Sequence, residues 1–296
     1  MSHQPPVVAI FGPTASGKSD VAAALAAKID GTLIGADAMQ TYRGVPILTN
    51  QPSEPTKLVG IWPLDHEASV GEYAPMAHEA IDSSLDAVSM PIVVGGTGLY
   101  LRAALADLDI PPRAAPGVRE RLEELYGRDA GRSAHARLQQ LDPDTARLVH
   151  LNDQRRVIRA LELAERGRSL RPQAEKLWTD ATRHPTIIVG IDAEPAGLHE
   201  RIVRRTSEMF AAGAAAEARR ALEEPISATA MKVIGLREAA ELSETEAVHA
   251  IGAKTRRYAA YQRKWMRRIP NISLIPSSGS PDAIADEILE MARTRK

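Results

Sequence analysis

Eight residues near the start of the chain, Gly12-Pro13-Thr14-Ala15-Ser16-Gly17-Lys18-Ser19, fit the pattern GxxxxGK[ST]. Its glycines let backbone N–H groups converge on a phosphate, a following helix N-terminus adds a favourable dipole, and Lys18 supplies positive charge. The Ser19 hydroxyl suits a Mg²⁺ ligand. The chemistry implied is that of a diphosphate or triphosphate, carried by a nucleotide or by another ester. Asp37 follows the second apolar run. At a strand end its carboxylate faces the ligand crevice, where it can hold Mg²⁺ through water, accept a proton from an attacking group, or only cap its loop. Gln40 is close enough to hydrogen-bond a base. Gly95-Gly96-Thr97-Gly98-Leu99-Tyr100 makes a second turn, read either as part of the site or as a strand-to-helix turn with Thr97 as N-cap. No acidic residue closes the strand before it, so the Walker-B carboxylate of motor-type NTPases is missing there.

These residues need a scaffold that brings strand ends together. Short apolar runs at Pro6–Phe11, Gly31–Ala36, Lys57–Leu64, Pro91–Val94, Thr186–Ile191 and Ile272–Ile275 alternate mostly with helical stretches, the pattern of a parallel, helix-covered sheet. Between Ile110 and Pro185 the strand signal vanishes into a stretch rich in Arg, Leu and Glu. The expected fold is α/β: a P-loop-type parallel sheet flanked by helices, with an all-helical insertion and a basic helical C-terminal segment. The expected divisions are 1–112 and 185–296 for the core and 113–184 for the insertion.

Composition bounds the rest. The 296 residues are 44% apolar and 25% charged with a net charge of −1, enough to bury a core and too apolar for a disordered chain. With no cysteine there is no thiol nucleophile and no cysteine zinc site, so any metal rests on oxygen or histidine. No run approaches the ~18 apolar residues of a membrane span and Met1–Pro6 lacks a leader's pattern, so the chain reads as cytoplasmic, without a membrane partner. Charge is uneven along it. Between Glu246 and Asp282 no acidic residue accompanies Lys254, Arg256, Arg257, Arg263, Lys264, Arg267 and Arg268. Arg155, Arg156, Arg159, Arg166, Arg168 and Arg171 form an earlier basic stretch, interrupted only by Glu162 and Glu165. Each is either a polyanion-binding face or a solvated helix face. Tyr258, Tyr261 and Trp265 share one face of the expected helix Thr245–Arg268, as core packing or as a base-stacking stripe.

Taken together, GPTASGKS, ADAMQTYRG (Ala36–Gly44), PIVVGGTGLYLRAAL (Pro91–Leu105), NDQRRVIRALE (Asn152–Glu162) and TRRYAAYQRKW (Thr255–Trp265) resemble the tRNA dimethylallyltransferases, or tRNA isopentenyltransferases. The resemblance runs in order from Gly12 to Trp265. It implies alkylation of adenosine N6 beside the anticodon, with dimethylallyl diphosphate as donor, Mg²⁺ as cofactor and the tRNA anticodon arm as partner, by a monomer. It also implies roles: Gly12–Ser19 bind the diphosphate, Asp37 takes the amine proton, Thr97 positions the reacting region, and Arg205, with Arg204 as its competitor, reaches the diphosphate. Asp37, Ala38, Met39, Gln40, Thr97, Arg119, Arg155, Arg156, Val157, Ile158 and Arg159 would contact tRNA. The chain departs from the family's pattern at Ala38, at Val45–Pro52, at Gly60–Pro63, at Arg155 and at Leu236.

Other functions fit parts of the pattern. A P-loop kinase of a small molecule or nucleotide would use Asp37 to activate a hydroxyl. An adenylate dimethylallyltransferase would act on a free nucleotide, and a nucleotide-gated RNA-binding protein would bind RNA and make no product. The two basic segments argue against the first two.

Overall fold

The computed structural model describes residues 4–111, 114–115, 117–170 and 177–294. Arg171 of the first basic stretch lies outside them. Strands β1 (Val7–Phe11), β2 (Thr32–Gly35), β3 (Pro91–Gly95), β4 (Thr186–Asp192) and β5 (Ile272–Pro276) form one parallel sheet in the order β2-β3-β1-β4-β5. β1 is central and buried throughout, as its unbroken apolar sequence requires of a strand covered on both faces. The period of two divides it. Val7, Ala9 and Phe11 pack with Tyr73, Ala77 and Ile81 of α3 (Val70–Asp86) and Leu101 of α4 (Gly98–Leu105). Val8 and Ile10 pack on the other face with Val21 and Leu25 of α1 (Lys18–Ile29) and Ile284 and Ile288 of the C-terminal helix (Pro281–Thr294).

One expected strand is absent. Lys57–Leu64 makes only single parallel bridges, Ile34 to Lys57 and Tyr42 to Trp62. The backbone turns left-handed at Leu58 (φ 66°) and Gly60 (φ 62°), which breaks the extended ladder after its first residue.

The chain divides into two compact units. The first comprises Met1–Asp107 with Asp180–Lys296, and the second is Leu108–Thr179. The second begins and ends five residues earlier than the insertion expected at 113–184. It is helical: α5 (Val118–Gly127), α6 (Arg132–Leu141), α7 (Pro143–Leu148) and α8 (Gln154–Ala164) surround Leu122, Leu138, Val157, Ile158 and Leu161. Asp142 and Asp153 cap α7 and α8 by accepting from the backbone N–H of Thr145 and Arg156. In the first unit, the four-residue α2 (Pro46–Thr49) follows β2, and β4 leads into α9 (Pro195–Ala211), α10 (Ala214–Glu223), α11 (Leu236–Glu241) and α12 (Glu244–Met266). α12 opens on a capping box between Ser243 and Glu246, and α13 is the C-terminal helix already given. Among the described residues no helix is long and apolar enough to cross a membrane.

Because every strand runs the same way, the loops leaving β1, β2 and β3 emerge at one edge of the sheet. Gly12–Ser19, Asp37 and Gly96–Thr97 therefore meet there, where ligands of such sheets bind.

Candidate functional site

The phosphate loop is built for an anion. Ala15 (φ 62°) and Gly17 (φ 87°) are left-handed, a turn that exposes backbone N–H groups. For Ala15 the conformation is strained, which is usual at ligand clamps. Lys18 lies on the loop, with Nζ 3.4 Å from the Pro13 carbonyl. Burial pushes its pKa down to about 8; the Asp37 carboxylate opposes that shift and the Arg205 guanidinium adds to it. Arg205 on α9 donates to the Thr14 hydroxyl, and burial lowers its own pKa. Its Nε is buried without a hydrogen-bond partner among the described residues, as is the Ser16 hydroxyl. Unpaired buried donors are costly, and both of these lie at the phosphate loop. Arg204 points away: its side chain is 70% exposed beside Glu208. Of the two, Arg205 is the one that touches the loop.

Asp37 shows the loop-capping contact among its expected readings. Oδ1 accepts from the Met39 N–H at 3.1 Å, as a loop-capping aspartate does, while Oδ2 takes no hydrogen bond from the described residues. Thr97 occupies the N-cap position of α4 without capping it. Its Oγ1 instead accepts from the Ala38 N–H at 3.1 Å and lies 3.4 Å from the Tyr258 hydroxyl, so the β3 turn locks the loop that carries Asp37. Ala38 contributes only its backbone to this lock, and Met39 packs in an apolar cluster. Gln40 is less available than its sequence position suggests. Its Nε2 donates to the Thr49 and Asn50 carbonyls, leaving Oε1 for a ligand. A small cleft beside the phosphate loop is lined by Lys18, Ser19, Gln40, Glu54 and Thr56.

Three positioning groups carried no local sequence signal. Gln262 on α12 is buried; its Oε1 accepts from the Thr14 N–H at 2.8 Å and its Nε2 donates to the Gly96 carbonyl at 2.9 Å, tying the two turns together. A Cβ at 96 would stand 2.2 Å from Nε2 of Gln262, so any other residue there would push the amide off this bridge. Arg201, one helical turn before Arg205, donates through Nε to the Ala15 carbonyl at 2.9 Å. Glu217 on α10 is a buried carboxylate that accepts from the Ile47 and Leu48 N–H groups at 2.9 and 2.8 Å. It fixes the segment that departs from the family's pattern at Val45–Pro52. The aromatic face of α12 splits: Trp265 packs against Gly98, whereas Tyr261 is 55% exposed.

The residues expected to contact tRNA from the second unit fare unequally. Val157 and Ile158 are core residues, 0% and 2% exposed, so their side chains face no RNA. That corrects the expectation: a helix cannot show a continuous run of residues to one partner. Arg119 and Arg159 both hold the buried Glu162, at 2.9 and 2.8 Å, and Arg159 also donates to the Pro111 carbonyl. Arg156 lies 3.6 Å from Asp153. Arg155 is exposed and has no ion-pair partner among the described residues.

Residues 40–269 match the family model described as IPP transferase. A tRNA dimethylallyltransferase from Salinispora arenicola is 39% identical over 287 residues, covering 93% of this chain and 83% of its own. A tRNA isopentenylpyrophosphate transferase structure from Bacillus halodurans superposes with a TM-score of 0.69 at 28% identity, covering 98% of this chain and 97% of its own. A eukaryotic dimethylallyltransferase described as acting on tRNA gives a TM-score of 0.80 at 25% identity, covering 97% of this chain and 80% of its own.

Proposed function

Since the chain belongs to the IPP transferase family, that of the tRNA dimethylallyltransferases, we propose that it transfers a dimethylallyl group from dimethylallyl diphosphate to N6 of the adenosine beside the anticodon of tRNA, releasing diphosphate. The observation that carries the reading is the meeting of two kinds of group at one sheet edge. Unpaired donors and buried cations, Ser16, Lys18 and Arg205, stand beside a carboxylate with one oxygen left open, Asp37.

The chemistry follows from that meeting. The N6 lone pair forms a bond to C1 of the allylic chain, and the C1–O bond breaks with its electron pair passing to the diphosphate. The phosphate-loop amides, Lys18 and Arg205 take up that developing charge. Asp37 accepts the proton from N6 through its open Oδ2. Thr97, bonded to the Ala38 N–H, keeps the carboxylate's loop in place. The acceptor base must leave its stack to reach this edge.

Mg²⁺ fits as an all-oxygen ligand set. Among the described residues no cluster of three acidic or histidine side chains could cage a metal, and the Ser19 hydroxyl, which lines the cleft with Lys18, is the side chain that would hold the ion. When bound it supplies further charge to the leaving group. The same reading has the protein acting as a monomer in the cytoplasm, with Arg155 as the second unit's accessible phosphate contact.

The test is to incubate the purified protein with tRNA, dimethylallyl diphosphate and Mg²⁺ and to digest the RNA to nucleosides. N6-dimethylallyladenosine is the expected product. ATP consumption without tRNA and without that nucleoside would instead favour a P-loop kinase.

A further inference from the structure

Singly exposed aromatic residues are ordinary, and Tyr261 would need no comment if it stood alone. Two features set it apart. Its ring stacks near-parallel with Tyr258, centroids 6.5 Å apart and planes 23° apart, and the Tyr258 hydroxyl lies 3.4 Å from Thr97 Oγ1. The pair thus runs from an exposed surface of α12 to the residue that locks the Asp37 loop. One turn to either side of Tyr261 along the helix stand Arg257 and Lys264, both exposed and neither with an ion-pair partner among the described residues. No acidic residue occurs between Glu246 and Asp282 to neutralise them. An aromatic ring with free cations on both sides is the arrangement by which proteins hold single-stranded nucleic acid: the ring stacks a base and the cations take phosphates.

We propose that Tyr261 is the stacking platform for a nucleobase adjoining the acceptor adenosine, with Arg257 and Lys264 on the flanking phosphates. Tyr258 behind it carries the stack toward Thr97. This inference rests on the functional reading above, since it takes single-stranded RNA of an anticodon loop as the ligand. It also assigns a division of labour along α12: Trp265 and Gln262 face inward to build the site, and Tyr261 faces outward to present the substrate.

The test measures binding of a fluorescently labelled anticodon-arm RNA by anisotropy, with turnover read separately. Tyr261→Ala is expected to raise Kd for the RNA about tenfold, Tyr261→Phe to restore it, and Tm and affinity for dimethylallyl diphosphate to stay at wild-type values. An RNA made abasic at a neighbour of the acceptor adenosine should bind wild type more weakly and the Tyr261→Ala variant no more weakly than intact RNA does. Wild-type Kd in the Ala variant would overturn the proposal, and so would a Phe variant as weak as Ala or a fall in Tm without a change in Kd. Wild-type protein that binds the RNA and makes no product would overturn the functional reading, and the Tyr261 comparison would still be decided by anisotropy.

Discussion

The second unit and the sheet edge of the first each place arginines on helices, and they treat the charge in opposite ways. In the second unit Glu162 gathers Arg119 and Arg159, and Glu165 gathers Arg121 and Arg137 at 2.6 and 3.0 Å. Glu162 is 3% exposed, and these pairs tie α5 and α6 to α8. At the sheet edge the opposite holds: Arg205 keeps an unpaired buried Nε, Ser16 an unpaired hydroxyl, Lys18 a pKa lowered by burial, and Ala15 a left-handed backbone. The difference teaches where to look for function. Charge that is paired within its own unit supports structure, whereas charge left unsatisfied at a cost awaits a ligand.

Disturbing the unsatisfied region should therefore change activity before stability, and disturbing the paired region should do the reverse. The largest effect is expected at Asp37. Asp37→Asn should lower kcat by roughly 10²–10⁴-fold with diphosphate binding little changed, read by single-turnover transfer and by titration with dimethylallyl diphosphate. Gln262→Leu leaves the Thr14 N–H and the Gly96 carbonyl without their partner, and the slack between the two turns should cut kcat by roughly 10- to 100-fold. A wild-type kcat in that variant would show that the turns hold their spacing without the amide.

Lys18 gives a pH signature of the same region. Its lowered pKa means that the free protein carries the proton at a cost below about pH 8 and gains stability as pH rises from there toward the ordinary 10.5. The diphosphate needs the charged form, so its affinity should fall about tenfold per pH unit above 8 while the Tm of the free protein rises. Isothermal titration and melting curves between pH 7 and 9 check both slopes; parallel slopes would contradict the assignment.

The paired region supplies the converse. Glu162→Ala removes the buried carboxylate that holds the half-exposed Arg119 and the partly buried Arg159, and should destabilise by roughly 1 kcal/mol in chemical denaturation, with kcat on bound tRNA near wild type. The smallest effect separates two arginines on one helix. Arg155→Ala should raise KM for tRNA a few-fold and flatten its log–log salt dependence by up to about one unit, with Tm unchanged. Arg159→Ala should lower Tm more than it raises KM. The reverse pattern would mean that the ion pair to Glu162 opens for RNA.

The parts of this architecture that could be read from sequence are those set by neighbours in the chain. The phosphate loop announces itself because its glycines, Lys18 and Ser19 are contiguous, and the turns holding Asp37 and Thr97 follow apolar runs whose burial fixes them as strands. Lys57–Leu64 failed because local apolarity does not reveal a left-handed backbone at Leu58. Gln262 was invisible for another reason: its partner Thr14 lies 248 positions away, and a glutamine followed by Arg263 and Lys264 looks like solvated surface. Glu217 reaches the α2 backbone from an alanine-rich helix that gives no hint of a buried charge. On α8 Val157, Ile158 and Leu161 form the buried face, which the family resemblance at Asn152–Glu162 does not distinguish from the exposed Arg155 and Arg156.

The most direct test of the central claim uses two anticodon stem-loop RNAs that differ only at the adenosine beside the anticodon, which the second replaces with guanosine. Each is incubated with the protein, dimethylallyl diphosphate and Mg²⁺, and its intact mass is measured. The first RNA should gain the mass of one dimethylallyl group in place of a hydrogen, with one diphosphate released per RNA modified, and the second should gain nothing. No gain in the first RNA, or equal gain in both, would contradict the assignment.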